Sequence, residues 1–275
     1  MSASNCSAQA IITANALPAC VVFNSSMTHC WQLLFFGTSP PADSAVRERV
    51  MALAGESVTR LHVARSTEAS QRAQRWSRDP LNLGLTGRIA LELADPQPVT
   101  LDSTALTDQR PKPLSNAFSN AFSNTDTEVV SSALANALGG KPYYCERYTP
   151  LMPSLEPGQA FEGTLQVCCF RRLPDLSDQR LRERWLEDHT RVALSTQSTL
   201  GYHQNWVVTP SAPAFDGIVE EYFPPEASER IDWFFNAVDD PVRLRDHIET
   251  MTHSTARFLA LDTALVQHLS DVRLI

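Results

Sequence analysis

Ionisable and aromatic residues concentrate in three short segments of the second half of this sequence. They are Trp185-Leu186-Glu187-Asp188-His189, Gly201-Tyr202-His203-Gln204-Asn205-Trp206 and Asp216-Gly217-Ile218-Val219-Glu220-Glu221-Tyr222-Phe223. A histidine has an unperturbed pKa of about 6.5, so it can exchange a proton at neutral pH with little tuning. Isomerisation, cyclisation and decarboxylation all require such an exchange. The segments therefore predict acid–base chemistry, with His189 as its first candidate.

His189 is predicted to point inward from a helix. Leu181, Trp185, His189 and Val192 recur at spacings of four, four and three residues, which places them on one helical stripe. A core histidine bonded to a backbone carbonyl would show the same spacing as a general acid or base at a cavity wall. Position alone leaves both interpretations open.

The second segment is predicted to be a strand with two chemically different faces. Side chains alternate along it, so Tyr202, Gln204 and Trp206 share one face and His203, Asn205 and Val207 share the other. A phenol or amide that lines a cavity could hold a substrate carbonyl or a developing oxyanion. Alternatively, Tyr202 and Trp206 are core aromatics and the other face is exposed.

The third segment places an acidic residue among apolar neighbours. Ile218, Glu220 and Tyr222 share a face of the predicted strand. Glu220 is therefore either a charge at the rim of a cavity or the partner of an imidazole such as His189 or His203, whose tautomer it would fix.

Two sets of elements must position these residues, and both are predicted to follow the order βαββαβ. In residues 30–150 the apolar and alternating runs predict strands over 31–36, 59–64, 88–93 and 143–148, with helices over about 43–54 and 128–138. In residues 160–275 they predict strands over 164–171, 201–208, 217–223 and 257–266, with helices over 177–196, 225–237 and 243–251. Proline and glycine residues between 150 and 158 mark the linker.

A four-stranded sheet with helices on one face leaves its other face uncovered. The chain is therefore predicted to be an α+β protein of two tandem ferredoxin-like (βαββαβ) units, packed sheet to sheet as an intramolecular dimeric α+β barrel around a small-molecule cavity. Residues 1–29 are predicted to be a tail. A polar stretch at about 97–126, with Asn116-Ala117-Phe118-Ser119 repeated as Asn120-Ala121-Phe122-Ser123, is predicted to be an exposed insertion or a lid.

Composition excludes several classes of protein. With 275 residues, a net charge of -8 and a pI of about 5.4, the chain lacks the clustered basic face that nucleic acids require. Six cysteines without a CxxC pair predict reduced thiols, no metal site and a cytoplasmic location. No apolar run is long enough to span a membrane. Signatures of nucleotide-binding loops, zinc proteases and serine hydrolases are missing.

About 100 residues of the second half resemble the EthD domain. The resemblance rests on the ordered set Phe170-Arg171-Arg172, Pro174, Leu176, Ser177, Trp185, His189, Gly201-Tyr202-His203-Gln204-Asn205, Asp216-Gly217-Ile218, Glu220, Tyr222 and Phe223. It implies a ferredoxin-like unit of the dimeric α+β barrel superfamily, whose relatives include cofactor-independent polyketide cyclases, decarboxylases and muconolactone-type isomerases. On the matching positions it implies His189, Tyr202 and Asn205 as the functional residues, with Trp185 and Glu220 as supporting wall.

The chain departs from that family in being about twice a single domain's length. Its first half has no Trp-x-x-x-His on the helix, so any site is predicted to be asymmetric, with His62 as the comparable first-half histidine. Besides the three catalytic candidates, the residues predicted to contact substrate are Trp185, His203, Trp206, Glu220, Tyr222 and His62.

The leading hypothesis is a lyase, cyclase or isomerase that needs no cofactor and acts on an oxygenated or aromatic small molecule. It would be a monomer with an internal pseudo-dimer, or a homodimer. A non-catalytic binding or accessory protein is the alternative, because cavity-forming folds also host carriers. A haem-binding protein ranks third, since no residue pattern marks an axial ligand.

Overall fold

The computed structural model describes residues 27–94 and 124–275. Its eight strands are β1 (Thr28–Phe36), β2 (Val58–Arg65), β3 (Leu85–Leu93), β4 (Lys141–Leu151), β5 (Thr164–Phe170), β6 (Gly201–Thr209), β7 (Gly217–Phe223) and β8 (Leu265–Arg273). The helices are α1 (Asp43–Ala54), α2 (Glu68–Gln71), α3 (Asn124–Leu138), α4 (Asp178–Leu181), α5 (Thr190–Thr196), α6 (Ile231–Phe234) and α7 (Pro241–Thr255). Residues 1–26 of the predicted tail and nearly all of the predicted insertion lie outside the described residues, whereas Thr28 and His29, predicted as tail, belong to β1.

The strands form one closed antiparallel barrel in the order β1-β3-β2-β8-β5-β7-β6-β4, in which β4 also pairs with β1. The first four strands therefore lie side by side as β4-β1-β3-β2, and the last four as β8-β5-β7-β6. Two seams join these halves, β2 with β8 and β4 with β6. The two expected sheets thus do not stack as separate layers but meet edge to edge, which leaves no strand edge unpaired at the seams.

Helices cover the outside of the barrel on both halves. In the first half, α1 and α3 bury Val46, Val50, Val130 and Leu134 against the outward side chains of β1 and β3. In the second half, the helical segments that follow β5 pack Leu181 and Trp185 against Phe170, Tyr202 and Trp206. A third apolar cluster, which includes Leu165, Val167, Ile218 and Leu269, fills the inside of the barrel.

The end of the chain differs from the sequence-based prediction. Residues 257–266 were expected to form the last strand, but β8 begins at Leu265 and runs to Arg273. Phe258 and Leu259 are buried because the turn that follows α7 packs them into the helical layer, while Leu261–Thr263 is a 3-10 turn. Buried polar residues in β8, His268 and Asp271, obscured its alternation. The predicted helix over 225–237 is also broken, into a 3-10 turn at Pro225–Ser228 and α6.

Within residues 27–94 and 124–275, no helix combines the length and the apolar character needed to cross a bilayer.

Candidate functional site

A long helical segment that carries Trp185 and His189 crosses the outer face of the second half. It begins with Ser177, whose hydroxyl accepts a hydrogen bond from the Arg180 amide as an N-cap. Between α4 and α5 it widens into a π-helix over Arg182–His189, a geometry often found at functional sites. Leu181, Trp185 and His189 of the predicted inward stripe are buried, whereas Val192 is half-buried.

A cavity of about 230 Å³ lies between this segment, α7 and the outward face of β5, β7 and β8. Most of its wall is aromatic or aliphatic, as is usual for small-molecule sites. The polar and ionisable groups in the wall are Arg78, Gln166, Cys168, His189, Gln197, Glu221 and Thr255. The apolar part includes Phe170, Trp185, Val219, Phe234, Phe235, Met251 and Phe258.

His189 enters this cavity as a neutral imidazole. Its Nδ1 lies 2.9 Å from the Ser254 hydroxyl, and its ring meets Phe258 edge-on with centroids 5.0 Å apart. Burial lowers the pKa of His189 from 6.5 to about 4, because the apolar surroundings disfavour the charged ring. Nε2 has no hydrogen bond to any of the described residues. The second nitrogen is therefore free to accept a proton from a ligand.

Glu221 lines the same cavity as a protonated acid. Burial raises the pKa of its carboxyl from 4.5 to about 8, so the neutral form dominates at pH 7. Its Oε2 accepts a long hydrogen bond of 3.4 Å from Gln166 Nε2. The sequence-based site omitted Glu221 in favour of Glu220, although strand alternation puts Glu221 on the face opposite Glu220. Glu221 could have been identified from its pairing with Tyr202 on the neighbouring strand, because paired residues lie on the same face of the sheet.

The other aromatic site candidates on this side of the sheet support the wall of the cavity. Trp206 stacks on Trp185 with ring centroids 6.2 Å apart, and the Arg182 guanidinium lies 4.2 Å from the Trp206 ring centre. Tyr202 is fully buried in the same layer, and burial raises its phenol pKa well above the usual value. Neither ring lines the cavity, so both act on the site through Trp185.

The remaining candidates lie inside the barrel, on the opposite face of the sheet. Asn205 Oδ1 accepts from Arg147 Nε at 2.8 Å, and its Nδ2 donates to the Ile218 carbonyl at 2.8 Å. His203 Nδ1 lies 2.9 Å from the Thr149 hydroxyl. The prediction that His189, Tyr202 and Asn205 converge on one cavity is wrong, because the sheet itself separates Asn205 from the other two.

A buried ionic network lies beside the apolar cluster in this interior and joins the two halves. Glu220 pairs with both Arg88 and Arg147, so it is neither a rim charge nor the partner of His189. Arg147 also contacts Glu92 at 2.6 Å. Asp271 lies 2.9 Å from His62 Nδ1.

Tyr222 belongs to the same interior network, because its hydroxyl donates to Asp271 Oδ2 at 3.0 Å. His62, His203, Glu220 and Tyr222 therefore face the inside of the barrel, not the cavity that contains His189.

The protonation states of the network follow from burial and charge together. Burial acts to lower the pKa of Arg88, but the carboxylates of Glu220 and Asp271 outweigh it and raise that pKa. Burial acts to raise the pKa of Asp271, yet nearby His62 and Arg88 hold it below the ordinary value. Burial, and next the charge of Arg147, holds the pKa of His203 well below its usual range. At neutral pH, Arg88 and Asp271 are therefore charged and His203 is neutral.

Comparisons with known proteins give similarities only at the level of solved structures. A protein provisionally assigned as a monooxygenase from Fusobacterium nucleatum subsp. nucleatum ATCC 25586 is 12% identical, with 89% of this chain and 93% of that chain covered and a TM-score of 0.40. An anthrone oxidase-like protein is 10% identical, with 90% and 94% covered and a TM-score of 0.46. A variant of chlorite dismutase from Candidatus Nitrospira defluvii is 12% identical, with 90% and 92% covered and a TM-score of 0.37.

No protein-family model and no curated protein sequence matches the chain. The resemblance to the EthD domain therefore stays a prediction.

Proposed function

We propose that this protein is a small-molecule lyase, cyclase or isomerase that works by acid–base catalysis without a cofactor. Its site is the cavity between the outward face of β5, β7 and β8 and the helices that cover it. One observation carries the proposal: a neutral imidazole and a protonated carboxyl line the same small, mostly apolar cavity. Two titratable groups whose environments push their pKa values apart form an acid and base pair.

His189 is the general base in this proposal. Its Nε2 removes a proton from a carbon or hydroxyl of the substrate, while Nδ1 stays bonded to the Ser254 hydroxyl. A neutral imidazole carries one N–H, so a basic Nε2 requires that proton on Nδ1, from which it is donated to the Ser254 hydroxyl both before and after Nε2 takes the substrate proton. The low pKa makes His189 a weak base in the empty cavity, so its strength depends on the charge that a bound substrate supplies.

Glu221 is the general acid. It donates its proton to the substrate oxygen on which negative charge develops as His189 removes the first proton. Both groups act inside an apolar wall where water is scarce, which strengthens each electrostatic interaction. Trp185 and Phe258 are the aromatic surfaces that orient a planar substrate. Glu221 takes the oxyanion-stabilising role that was predicted for Asn205, because the Asn205 side chain lies on the opposite face of the sheet, inside the barrel.

We further propose that each half is a ferredoxin-like unit and that the chain belongs to the dimeric α+β barrel superfamily, with an EthD-like second half. The strand orders β4-β1-β3-β2 and β8-β5-β7-β6 support this, because they are equivalent once the second half is renumbered from its own first strand. One chain then supplies both halves of the barrel, so a monomer is sufficient for the site.

Replacing His189 tests the proposed function. We expect His189→Gln to fold normally and to lower turnover at least about a hundredfold, the usual contribution of a general base. His253→Gln is the matched control, because His253 is an exposed histidine of α7 next to Ser254. Turnover should be measured by mass spectrometry on a set of oxygenated aromatic compounds incubated with each protein. Unchanged turnover by folded His189→Gln would refute the assignment.

A non-catalytic binding protein is the second candidate, and the apolar wall of the cavity favours it. Mass spectrometry separates the two, since a carrier releases its ligand unchanged. The haem-binding alternative does not fit this cavity. An engineered cavity of about 150 Å³ holds one benzene ring, so about 230 Å³ has no room for the four pyrrole rings of a porphyrin.

A further inference from the structure

We propose that the ligand of this cavity is an anion: a small arene of one or two rings whose carboxylate pairs with Arg78. This inference deepens the proposed function and rests on it. It assigns a residue of the first half to a site that otherwise belongs to the second half.

Arg78 is the one cationic side chain in the cavity wall among the described residues. It is exposed, and no other described residue forms an ion pair or side-chain hydrogen bond with its guanidinium. Other arginines of the second half form ion pairs with carboxylates, as Arg172 does with Asp216 and Arg182 with Glu146. An unpaired guanidinium at the edge of an apolar cavity is a binding group for a carboxylate.

The backbone holds Arg78 at this edge. Its amide donates to the Val266 carbonyl at 2.8 Å, and its carbonyl accepts from the Val266 amide at 2.7 Å. Val266 itself lines the cavity. Arg78 is therefore fixed to β8 at both backbone groups, and only its side chain needs to order when a ligand binds. This lowers the entropic cost of binding.

The electrostatics of the wall favour a negative ligand. Burial raises the pKa of Cys168 to about 12, although the charge of Arg78 acts to lower it, so the thiol stays neutral. His189 and Glu221 are neutral at pH 7 for the reasons given above. Arg78 is then the single net charge among the described residues of the wall. A carboxylate meets one attractive charge there and no ionised acid.

The size of the cavity bounds the apolar part of the ligand. At about 230 Å³ it exceeds the roughly 150 Å³ that holds one benzene ring. It lies below the range of about 300–1,000 Å³ that is typical of sites for drug-sized molecules. One substituted ring or two fused rings fit, with the carboxylate at the open edge beside Arg78 and the ring against the cavity wall that Trp185 and Phe258 form.

Isothermal titration calorimetry at low salt tests the inference with benzoate, salicylate and 1-naphthoate, each beside its neutral primary amide. We expect at least one carboxylate to bind about threefold or more tightly than its amide, the scale of a partly exposed ion pair. Arg78→Gln should remove that preference and its salt dependence. Arg47→Gln is the matched control, because Arg47 is an exposed arginine on α1, away from the cavity.

Three outcomes of the titrations distinguish the anion-binding inference from the proposed function. A carboxylate preference that Arg78→Gln removes and Arg47→Gln keeps would support the inference. Equal binding of acids and amides would overturn it and leave acid–base catalysis in the cavity standing. If neither series bound at millimolar concentration, both this inference and the choice of the cavity as the active site would be refuted.

Discussion

His189 and Glu221 are shifted from their ordinary protonation states in opposite directions by one cause. Burial disfavours any charge, so it lowers the pKa of the imidazole to about 4 and raises that of the carboxyl to about 8. Between these pH values the imidazole is neutral, with one unprotonated nitrogen, and the carboxyl is protonated. The cavity therefore offers a base and an acid over the same pH range.

The first prediction is a plateau in the pH profile of kcat/KM. Activity should fall below about pH 4, where His189 becomes protonated, and above about pH 8, where Glu221 ionises. Glu221→Gln should lose the upper limb. Glu226→Gln is its control, because Glu226 is exposed on the turn that follows β7. An upper limb that persists in Glu221→Gln would exclude this carboxyl as the general acid.

The second prediction concerns stability. The folded-state pKa of Glu221 is raised from 4.5 to about 8, so its stabilising effect is fully present below pH 4.5 and is lost as pH rises toward 8. As pH rises between these values, the parent protein should therefore lose stability that Glu221→Gln keeps. The difference between their free energies of unfolding should shift in favour of Glu221→Gln. Urea unfolding of both proteins at pH 5 and pH 9 measures the difference. A constant difference would mean that Glu221 is solvated.

Some site residues could be predicted from the sequence and others could not. Helical spacing identified the inward stripe of Trp185 and His189. Strand alternation grouped Tyr202 with Trp206 and His203 with Asn205, but a two-residue period does not say which group faces the helices. Glu221 was missed for the same reason, since adjacent acids Glu220 and Glu221 point to opposite faces.

At the scale of the elements, the fit between β7 and the π-helical segment shapes the cavity wall. Gly217 opens β7, and a Cβ there would lie 2.5 Å from Phe170 Cε1 and 2.6 Å from Trp185 Cη2. The glycine therefore admits the Trp185 ring close to the strand. Phe170 and Trp185 meet edge to face in the same place, with ring centroids 4.8 Å apart.

The third prediction is that Gly217→Ala displaces this packing. We expect a loss of about 1–3 kcal/mol in the free energy of unfolding, the usual cost of overpacking a core, with a changed near-ultraviolet circular dichroism spectrum. Gly84→Ala is the comparison, because φ is +64° there and no atom lies within 4 Å of an added Cβ. It should cost backbone strain only and leave the aromatic spectrum unchanged. Identical spectra for the two variants would contradict this packing.

Most elements could be predicted because their apolar periods are regular, as in β1 and α1. The end of the chain could not, because β8 buries His268 and Asp271 among its apolar residues. A buried charge looks like a surface residue in a sequence unless its partner is known, and the partners of Asp271 include His62, 209 residues away. The division of the predicted helix over 225–237 into a 3-10 turn and α6 could not be predicted either, because the apolar spacing of the sequence does not mark it.

At the scale of the whole molecule, the barrel interior pairs basic side chains of the first half with acidic side chains of the second. Arg88, Arg147 and His62 come from the first half, whereas Glu220 and Asp271 come from the second. Glu92 is the exception, an acid of the first half that pairs with Arg147. Such buried pairs contribute specificity when every partner is present and destabilise strongly when one is removed.

The fourth prediction follows from that asymmetry. Glu220→Gln leaves two buried guanidiniums without their shared carboxylate, so it should cost about 3–5 kcal/mol in the free energy of unfolding. Glu229→Gln, which breaks an exposed pair with Arg72 at 3.6 Å, should cost less than about 1 kcal/mol. Urea unfolding measures both. Equal losses would mean that the interior network does not hold the halves together.

The sequence predicted two similar halves, but the way they join depends on pairing between distant residues. Edge pairing of β2 with β8 and β4 with β6 closes the barrel, and ion pairs between the halves lie inside it beside the apolar cluster. The cavity beside His189 therefore forms outside the barrel, under the helices, and not between the two halves as expected.

A crystal structure of the protein with its native ligand would show whether the cavity under the helices is the active site. We expect ligand density in the cavity against Trp185 and Phe258, with polar atoms in contact with His189 Nε2 and the Glu221 carboxyl. Density inside the barrel beside His203 and Asn205, with the cavity under the helices empty, would contradict it.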